Sequence, residues 1–215
     1  MCVNAFNHPH MKINMDNVRL YGNAPAYVQP VDMGCQILWS NVNLGASAPW
    51  QVGKRYAWGE PEPDIEFSAD RYLSNDVLER ISSPSSLQKR YTETEYRGKL
   101  LKPQFDAANI HWGGRWRIPT FHEWDALIGL STIESTKQGC TLGHRITSRI
   151  TGNSIFIPFT QLKSSNNEVL LKVEGYWSSS YGVNDSAWAY MNNHNMNFAM
   201  CYAGLCLRPV WVDND

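Results

Sequence analysis

Beyond Leu142 the sequence breaks into short apolar segments separated by turn residues, and this pattern limits the possible folds more than any other feature. The segments are rich in β-branched and aromatic residues and are bounded by Gly, Asn, Asp or Ser, as strands are. The tripeptide at 151–153, Thr-Gly-Asn, is a typical turn. The predicted strands span 145–150, 154–158, 170–173, 176–179, 187–191, 196–202 and 206–212. So many short strands exclude a helical bundle or a coiled coil and predict antiparallel sheets.

Two helices are predicted upstream of these strands. Thr120, followed three residues later by Glu123, has the capping-box pattern of a helix N-terminus. The apolar residues that follow lie on one helical face and Gly129 supplies a stop, so a helix is predicted over 120–130. A shorter helix is predicted over 104–111, and further strands over 37–42, 53–58 and 115–118. Helices combined with antiparallel strands predict an α+β domain.

The length of the chain suits one compact domain. Its 215 residues are enough to bury roughly 70% of the surface of the unfolded chain. Residues 1–30 contain three prolines and no sustained periodicity, which predicts an extended N-terminal arm. A polar stretch at about 65–103, with a serine-rich patch at 82–86, predicts a long insertion. We therefore predict a single domain over 31–215 that this insertion interrupts.

Charge and hydropathy exclude several functional classes. Lys and Arg total 19 and Asp and Glu total 20, so the net charge is −1. Because there is no basic footprint, we expect no nucleic-acid partner. No segment approaches the ~18 consecutive apolar residues of a membrane helix, so we expect no membrane insertion. The first ten residues lack the basic and apolar regions of a signal peptide, so we expect synthesis in the cytoplasm without a standard export signal.

Cysteine and histidine spacing predicts neither disulfides nor an active site. The five cysteines are odd in number and form no CxxC pair, so we expect reduced and mostly buried thiols. Cys201 and Cys206 are close enough to be tested as a redox pair, with Arg208 as the nearby cation that would activate a thiol. His8 and His10 are candidates to hold a metal, but no HExxH or Cys/His quartet organises the histidines. We expect no enzyme, no catalytic residue, no cofactor and no metal.

Several stretches, taken in order, resemble a known family. They are Val31–Gly34 with Trp39 and Asn43–Ala46, Tyr56–Glu60, Asp106–Ala108, Trp112–Thr120 with Glu123, Gly152–Pro158, Tyr176–Ser180 and Leu207–Val210. The chain resembles the Fibrobacter succinogenes major paralogous domain family, which is related to the C-type lectin-like fold. The resemblance covers about residues 31–212, apart from the predicted insertion. It implies an α+β, C-type lectin-like fold in which two helices pack on short antiparallel sheets with long loops.

The matched residues are interpreted as scaffold rather than as ligand contacts. Trp112, Trp116 and Trp177 are large anchors, and Arg117 and Arg208 are expected to tie loops by forked hydrogen bonds. The resemblance places the ligand surface between the Trp177 signature and the closing strand. There the sequence mixes aromatic and short polar residues, as antibody paratopes do. The candidate ligand-binding residues are Tyr181, Asn184, Asp185, Ser186, Trp188, Tyr190, Asn192, Asn193, His194, Asn195, Asn197 and Tyr202.

The resemblance extends to the variable proteins of diversity-generating retroelements, which include phage receptor-binding proteins. Adenine-directed change of Asn codons yields chiefly Asn, Tyr, Ser, His, Asp, Thr, Ala and Gly, and residues 181–202 are rich in these. Trp188, Met196, Phe198 and Met200 do not arise from such codons. An ordinary Asn-rich hairpin is the alternative interpretation. The segments at 60–62 and 183–185 resemble lectin calcium loops only loosely, so we expect calcium-independent recognition.

The resemblance implies a non-enzymatic ligand-binding protein located in the virion or at the cell exterior. We expect a receptor-binding or retroelement-diversified variable protein of a Bacteroidetes phage or prophage, with a cell-surface glycan or protein as its partner. The arm at 1–30 is the segment expected to support a homotrimer or virion assembly. One alternative is a secreted or surface-anchored Bacteroidetes adhesin. Another is a cysteine oxidase of the formylglycine-generating type, built on Cys201 and Cys206.

Overall fold

The computed structural model describes residues 22–63, 67–69, 72, 80–82, 99–160, 162–163, 169–171, 175–182, 186–191 and 194–212. Within these residues, helices α1 (Ala107–Trp112) and α2 (Phe121–Gly129) accompany a larger number of short strands. The strands are β1 (Pro30–Asp32), β2 (Leu38–Ser40), β3 (Arg55–Tyr56), β4 (Ile81–Ser82), β5 (Leu100–Leu101), β6 (Trp116–Arg117), β7 (Ser131–Gln138), β8 (Thr141–Ser148), β9 (Ser154–Pro158), β10 (Leu162–Lys163), β11 (Val169–Leu171), β12 (Gly175–Tyr181), β13 (Ser186–Met191), β14 (Met196–Met200), β15 (Leu205–Cys206) and β16 (Val210–Trp211). The predicted α+β class is confirmed.

A four-stranded sheet brings the beginning and the end of the domain together. Its order is β1-β2-β16-β6, and each neighbouring pair is antiparallel. Val210 of β16 lies opposite Trp39 of β2 on one side and opposite Arg117 of β6 on the other. Strand β16 therefore lies between β2 and β6, two strands that come much earlier in the sequence.

The largest sheet contains the segment that the sequence analysis assigned to ligand binding. Its main order is β14-β13-β12-β15-β3, and β5 adds to β12 while β4 adds to β5. Strand β12 is central, since it pairs with β13, β15 and β5. Strand β14 lies at the end of this order and pairs with β13 within the described residues. A separate three-stranded sheet, β7-β8-β9, packs nearby through the core that contains α2.

Buried tryptophans make up much of the core. The side chains of Trp58, Trp116, Trp124 and Trp177 are fully buried. Trp58 Nε1 donates to the carbonyl of Ser178 at 2.8 Å, and Trp177 Nε1 donates to the carbonyl of Tyr56 at 2.8 Å. A buried indole avoids the cost of an unsatisfied donor when its N–H is bonded in this way. These reciprocal bonds join β12 to the β3 segment, in agreement with the predicted scaffold role of Trp177.

Helix α2 begins at the predicted capping box. Thr120 Oγ1 accepts from the Glu123 amide at 3.2 Å, and Glu123 Oε2 accepts from the Thr120 amide at 2.7 Å. Arg117 donates from Nη1 and Nη2 to the two oxygens of the same carboxylate, at 2.7 and 2.5 Å. Burial raises the pKa of Glu123, but the Arg117 charge together with the hydrogen bonds from Arg117 and Thr120 outweighs burial, and the net effect is a lowered pKa. The predicted helix and the forked role of Arg117 are confirmed.

The first helix differs from its predicted bounds of 104–111. Residues Pro103–Phe105 form a single 3₁₀ turn, and α1 starts only at Ala107. Asp106 causes this break, because its Oδ1 accepts from the Ala108 amide at 2.9 Å and the Asn109 amide at 3.1 Å as an N-cap. Its Oδ2 accepts from the Ile118 amide at 2.8 Å and so ties the helix to β6.

Strand β7 was not predicted from the sequence. It pairs with β8 along its whole length, from Ser131 opposite Ser148 to Gln138 opposite Thr141. Its sequence, STIESTKQ, contains a single apolar residue, and most of its side chains are half-buried or exposed. A two-sided polar strand has no apolar alternation by which it can be identified, and only its pairing with β8 defines it.

Parts of the predicted arm and insertion pack on the domain. Residues 22–30 of the arm and scattered residues of the insertion are described, and the remainder of both lies outside the described residues. Val28, Phe67 and Tyr72 are buried in the main core. Tyr72 Oη donates to the carbonyl of Trp58 at 2.5 Å, and Arg80 Nη1 donates to the same oxygen at 3.2 Å. The described part of the insertion therefore contributes side chains to the core.

Candidate ligand-binding surface

The twelve predicted ligand-binding residues fall into three groups in the structure. Four of them, Asn184, Asp185, Asn192 and Asn193, lie outside the described residues. Three, Tyr181, Ser186 and Tyr190, are buried. The remaining five are half-buried or exposed, and they are Trp188, His194, Asn195, Asn197 and Tyr202.

The buried group belongs to the core rather than to a contact surface. The ring of Tyr190 stacks on Trp124 of α2 with centroids 4.8 Å apart and an angle of 8° between the planes. The ring of Tyr181 lies 5.8 Å from that of Trp58. Their burial follows from strand order, because β12 and β13 are inner strands. Tyr190 packs in the core that contains α2, and Tyr181 packs in the core that contains Trp58. Tyr181, Ser186 and Tyr190 thus have little surface to offer a ligand.

Two exposed apolar residues that the sequence analysis did not select occupy the outer strand. Phe198 is 41% exposed and Met200 is 43% exposed. Both lie on β14, on the same face as Trp188 of β13, and Trp188 pairs directly with Phe198. The exposed residues Asn195, Asn197, Phe198 and Met200 are called the β14 edge below.

The Phe198 ring is held in place from two sides. Its centroid lies 4.0 Å from that of Trp188, and Trp188 in turn lies 4.6 Å from Phe121 at the start of α2. On another side the ring covers Gly182, where a Cβ would come within 2.5 Å of the ring. This row of three aromatic rings connects Phe198 to the start of α2. The Phe198 ring is therefore packed on one side although the residue is 41% exposed.

The β14 edge also displays side-chain amides and carries no charge. Asn197 Oδ1 accepts from the Phe198 amide at 2.8 Å, so the orientation of this side chain is fixed. The carbonyl of Asn195 accepts from the Met191 amide at 3.0 Å and closes the turn between β13 and β14. No Asp, Glu, Lys or Arg occurs anywhere in residues 186–207. The surface thus offers apolar contact and amide hydrogen bonding without ionic attraction.

The β14 edge is not part of a described cleft. Clefts of about 290, 320 and 400 Å³ are lined by other parts of the surface, around Arg145, Asp106 and Arg80 respectively. Small-molecule sites are usually concave and enclose most of the ligand. A strand edge with two exposed apolar side chains is more typical of a protein contact.

Next to this edge, two histidines meet at one tyrosine hydroxyl. His144 Nδ1 on β8 and His194 Nδ1 in the β13–β14 turn each lie 3.3 Å from Tyr190 Oη. The imidazole centroids are 4.3 Å apart. Burial, together with the neighbouring His194, lowers the pKa of His144 to about 4, so this ring is neutral at pH 7. His194 has a φ of 61°, in the left-handed region that few side chains adopt.

The cysteines are not arranged as an activated redox pair. Neither Cys201 nor Cys206 forms a disulfide within the described residues, and both are fully buried. Burial raises the pKa of Cys206 to about 12, although Arg55 and Arg208 lie close enough to lower it. A thiol with such a pKa is protonated at neutral pH and a poor nucleophile. Of the other described cysteines, Cys35 is half-buried and Cys140 is exposed. Two of the four described thiols are therefore buried, fewer than the expected majority.

Two features are absent from the described residues. No three His, Cys, Asp or Glu side chains in that part of the chain cluster closely enough to hold a metal ion. No helix among the described ranges is long and apolar enough to cross a membrane. The loosely calcium-like segment at 60–62 has its Glu60 carboxylate 3.9 Å from Arg80, while Asn184 and Asp185 of the second segment lie outside the described residues.

Comparison with known proteins finds no relative. No protein-family model matches the chain, and no curated protein or solved structure matches it. The function is therefore inferred from the geometry and chemistry of the β14 edge.

Proposed function

We propose that this protein is a non-enzymatic binding protein of C-type lectin-like fold that presents the β14 edge to a cell-surface protein or glycan. The observation that carries the proposal is the exposed pair Phe198 and Met200, with the Phe198 ring packed on Trp188. The setting we propose is a phage receptor-binding protein or a retroelement-diversified variable protein.

The composition of the β14 edge supports a role in binding. Interface cores are enriched in aromatic residues and Met and depleted of charged residues, and this edge has the same bias. Met200 adds a flexible and polarisable side chain of the kind that adapts to different partners. Asn195 and Asn197 supply amide groups that donate and accept, as paratope asparagines do. Such an edge recognises a neutral or apolar surface, so its binding is expected to depend little on ionic strength.

The shape of the edge favours a protein ligand over a small sugar. Phe198 and Met200 project from the outermost strand, and the described clefts lie elsewhere. A convex apolar feature buries most surface when it enters a complementary hollow on a macromolecule. A single shallow edge binds weakly, so a multivalent assembly through the N-terminal arm fits the proposal.

The buried signature residues support the proposed fold. Trp39, Trp116 and Trp177 are fully buried. Arg208 is fully buried as well, and it donates from Nη1 to the carbonyl of Ser40 at 3.0 Å and from Nη2 to that of Phe156 at 2.7 Å. These two bonds hold three distant segments together, which is the scaffold role that the resemblance implies. The retroelement setting draws further support from Asn195 and Asn197, since both are exposed and both belong to the codon set that adenine-directed change produces.

Binding of the full chain to bacterial cells tests the proposal. The labelled protein is titrated onto a panel of Bacteroidetes strains, and Phe198→Ala and Met200→Ala are compared with the wild type. We expect each variant to lose at least about tenfold in affinity on any strain that binds, the loss of a contact worth about 1.4 kcal/mol. Leu142→Ala is the matched control, because Leu142 is 58% exposed on β8, outside the β14 edge.

Treating the cells before binding separates the two ligand classes. Protease treatment is expected to abolish binding, whereas periodate oxidation of glycans is expected to leave it. The reverse pattern would assign a glycan ligand to the same edge. Equal binding by the wild type, Phe198→Ala and Met200→Ala would refute the assignment of the β14 edge as the contact surface.

A further inference from the structure

Three donor atoms from three different segments converge beside the β14 edge. His144 Nδ1 comes from β8, Tyr190 Oη from β13, and His194 Nδ1 from the turn that follows. The side chains of His144 and Tyr190 are almost completely buried, while His194 is half-buried and forms the open side of the group. The group is therefore fixed by the core on one side and accessible to a small ion on the other.

Both contacts of the Tyr190 hydroxyl are long for hydrogen bonds. Oxygen–nitrogen bonds of a hydroxyl are usually shorter than the two 3.3 Å separations observed. Tyr190 Oη bonds to both rings at once only when one Nδ1 accepts its proton and the other Nδ1 carries a proton to donate. A tetrahedral ion with bonds of about 2.0–2.1 Å to its ligands separates those ligands by about 3.3 Å. Both observed separations match that ligand–ligand distance.

The backbone at His194 supports a ligand role. Its φ of 61° costs of order 1–3 kcal/mol for a residue other than glycine, and such strain concentrates at functional sites. The strained conformation holds the imidazole 4.3 Å from that of His144.

We propose that His144, His194 and Tyr190 form a binding site for a divalent transition-metal ion that prefers imidazole, of which Zn²⁺, Ni²⁺ and Cu²⁺ are the chemical class. Two ring nitrogens and one phenol oxygen suit these ions, whereas Ca²⁺ and Mg²⁺ take oxygen ligands in larger number. A bound ion joins the β13–β14 turn to β8 and so braces the β14 edge. The inference stands apart from the proposed function, since metal binding is measured without any ligand of the edge. It departs from the sequence expectation of no metal, because His144 and His194 are far apart in sequence and no motif links them.

The test uses the full chain after removal of metal with a chelator, and Zn²⁺ and Co²⁺ are the probes. Donors that compete for these ions are first removed in a background variant that carries Cys2→Ser, His8→Ala, His10→Ala and Cys140→Ser. Titration calorimetry with Zn²⁺ is expected to give one site per chain. Co²⁺ is expected to give the strong visible absorption of a tetrahedral complex.

Two substitutions in this background identify the ligands, and a third serves as control. His194→Ala is expected to weaken Zn²⁺ binding at least about tenfold, and its half-buried turn position leaves the fold intact. Tyr190→Phe keeps the ring stacked on Trp124 but removes the oxygen, so the Co²⁺ absorption is expected to change. His111→Ala, which removes a histidine bonded to the carbonyl of Pro61, is expected to change neither measurement. Failure of the background variant to bind Zn²⁺, or unchanged binding by His194→Ala, would overturn the proposal.

Discussion

Replacing Gly182 by alanine moves the Phe198 ring without changing its chemistry, and so tests whether the β14 edge depends on the position of that ring. A Cβ at residue 182 would lie 2.5 and 2.6 Å from two ring carbons of Phe198 and 2.9 Å from the carbonyl oxygen of Ser186. Carbon atoms pack at about 3.5–4.0 Å, so the ring has to shift by about 1 Å or more. Gly182 has no positive φ, so the substitution acts through these contacts with the Phe198 ring and the Ser186 carbonyl oxygen.

The exposure of the ring decides where it moves. Because Phe198 is 41% exposed, the ring swings into solvent rather than compressing the core. The movement breaks the 4.0 Å contact with Trp188, and such an aromatic pair is worth about 0.5–1.5 kcal/mol. We expect Gly182→Ala to lower the free energy of unfolding by about 1 kcal/mol and to weaken cell binding at least about tenfold.

Urea unfolding and cell binding are measured on the same preparations. Gly129→Ala is the matched control, because a Cβ at Gly129 meets no atom within 4 Å. We expect it to leave cell binding unchanged and to raise the free energy of unfolding by about 0.4–1 kcal/mol, since alanine has fewer conformations in the unfolded chain. Loss of more than about 3 kcal/mol by Gly182→Ala would mean that the ring cannot leave its place, against the reasoning from exposure. Unchanged binding by Gly182→Ala, on cells where Phe198→Ala fails to bind, would show that the position of the ring is irrelevant.

Two further predictions concern the N-terminal ends of α1 and α2. Asp106→Ala removes the acceptor of three backbone amides. At about 1 kcal/mol for each bond, the free energy of unfolding measured in urea should fall by about 3 kcal/mol. The control Asp125→Ala, at an exposed position, should have little effect. Glu123→Gln should cost about 2 kcal/mol at pH 7, because it weakens a partly buried forked pair with Arg117. Since the folded-state pKa of Glu123 is lowered, the stability from its ionisation is present above the unfolded pKa of about 4.3 and is lost as the pH falls through the folded pKa. The difference between wild type and Glu123→Gln should therefore narrow below about pH 4, and an equal difference at pH 2 and pH 7 would contradict this account.

Structural features that depend only on residues close together in the sequence were predictable. The capping box at Thr120 and Glu123 needs only residues three positions apart, and both of its hydrogen bonds form. The strand predicted over 154–158 is a short apolar run that follows a turn signal, and β9 has those bounds. The break before α1 was missed although the Asp106 cap is local, since it accepts from the Ala108 and Asn109 amides. Only the added bond from the Ile118 amide depends on a more distant residue.

The candidate site was predictable as a region but not residue by residue. Composition located the region, since aromatic residues and asparagines concentrate between 181 and 202. Which of them face solvent depends on the order of strands in the sheet, and that order is set by contacts distant in sequence. Tyr190 and Phe198 lie on neighbouring strands and on the same face of the sheet. The first is nevertheless fully buried under α2, while the second is 41% exposed at the edge.

Paratope-like composition alone therefore assigns the wrong residues to the contact surface, and the position of each residue in the sheet corrects the assignment. Tyrosines are counted as contacts because they are common in binding loops, yet an inner strand covered by a helix needs large rings for packing. Phe198 and Met200 are discounted as ligand contacts because adenine-directed codon change does not produce them. A binding edge can nevertheless combine fixed apolar residues with variable asparagines. The apolar residues supply contact area to every partner, while the amides adjust hydrogen bonding to each. On this reasoning, sequence variants of this protein should keep Phe198 and Met200 and differ at Asn195 and Asn197.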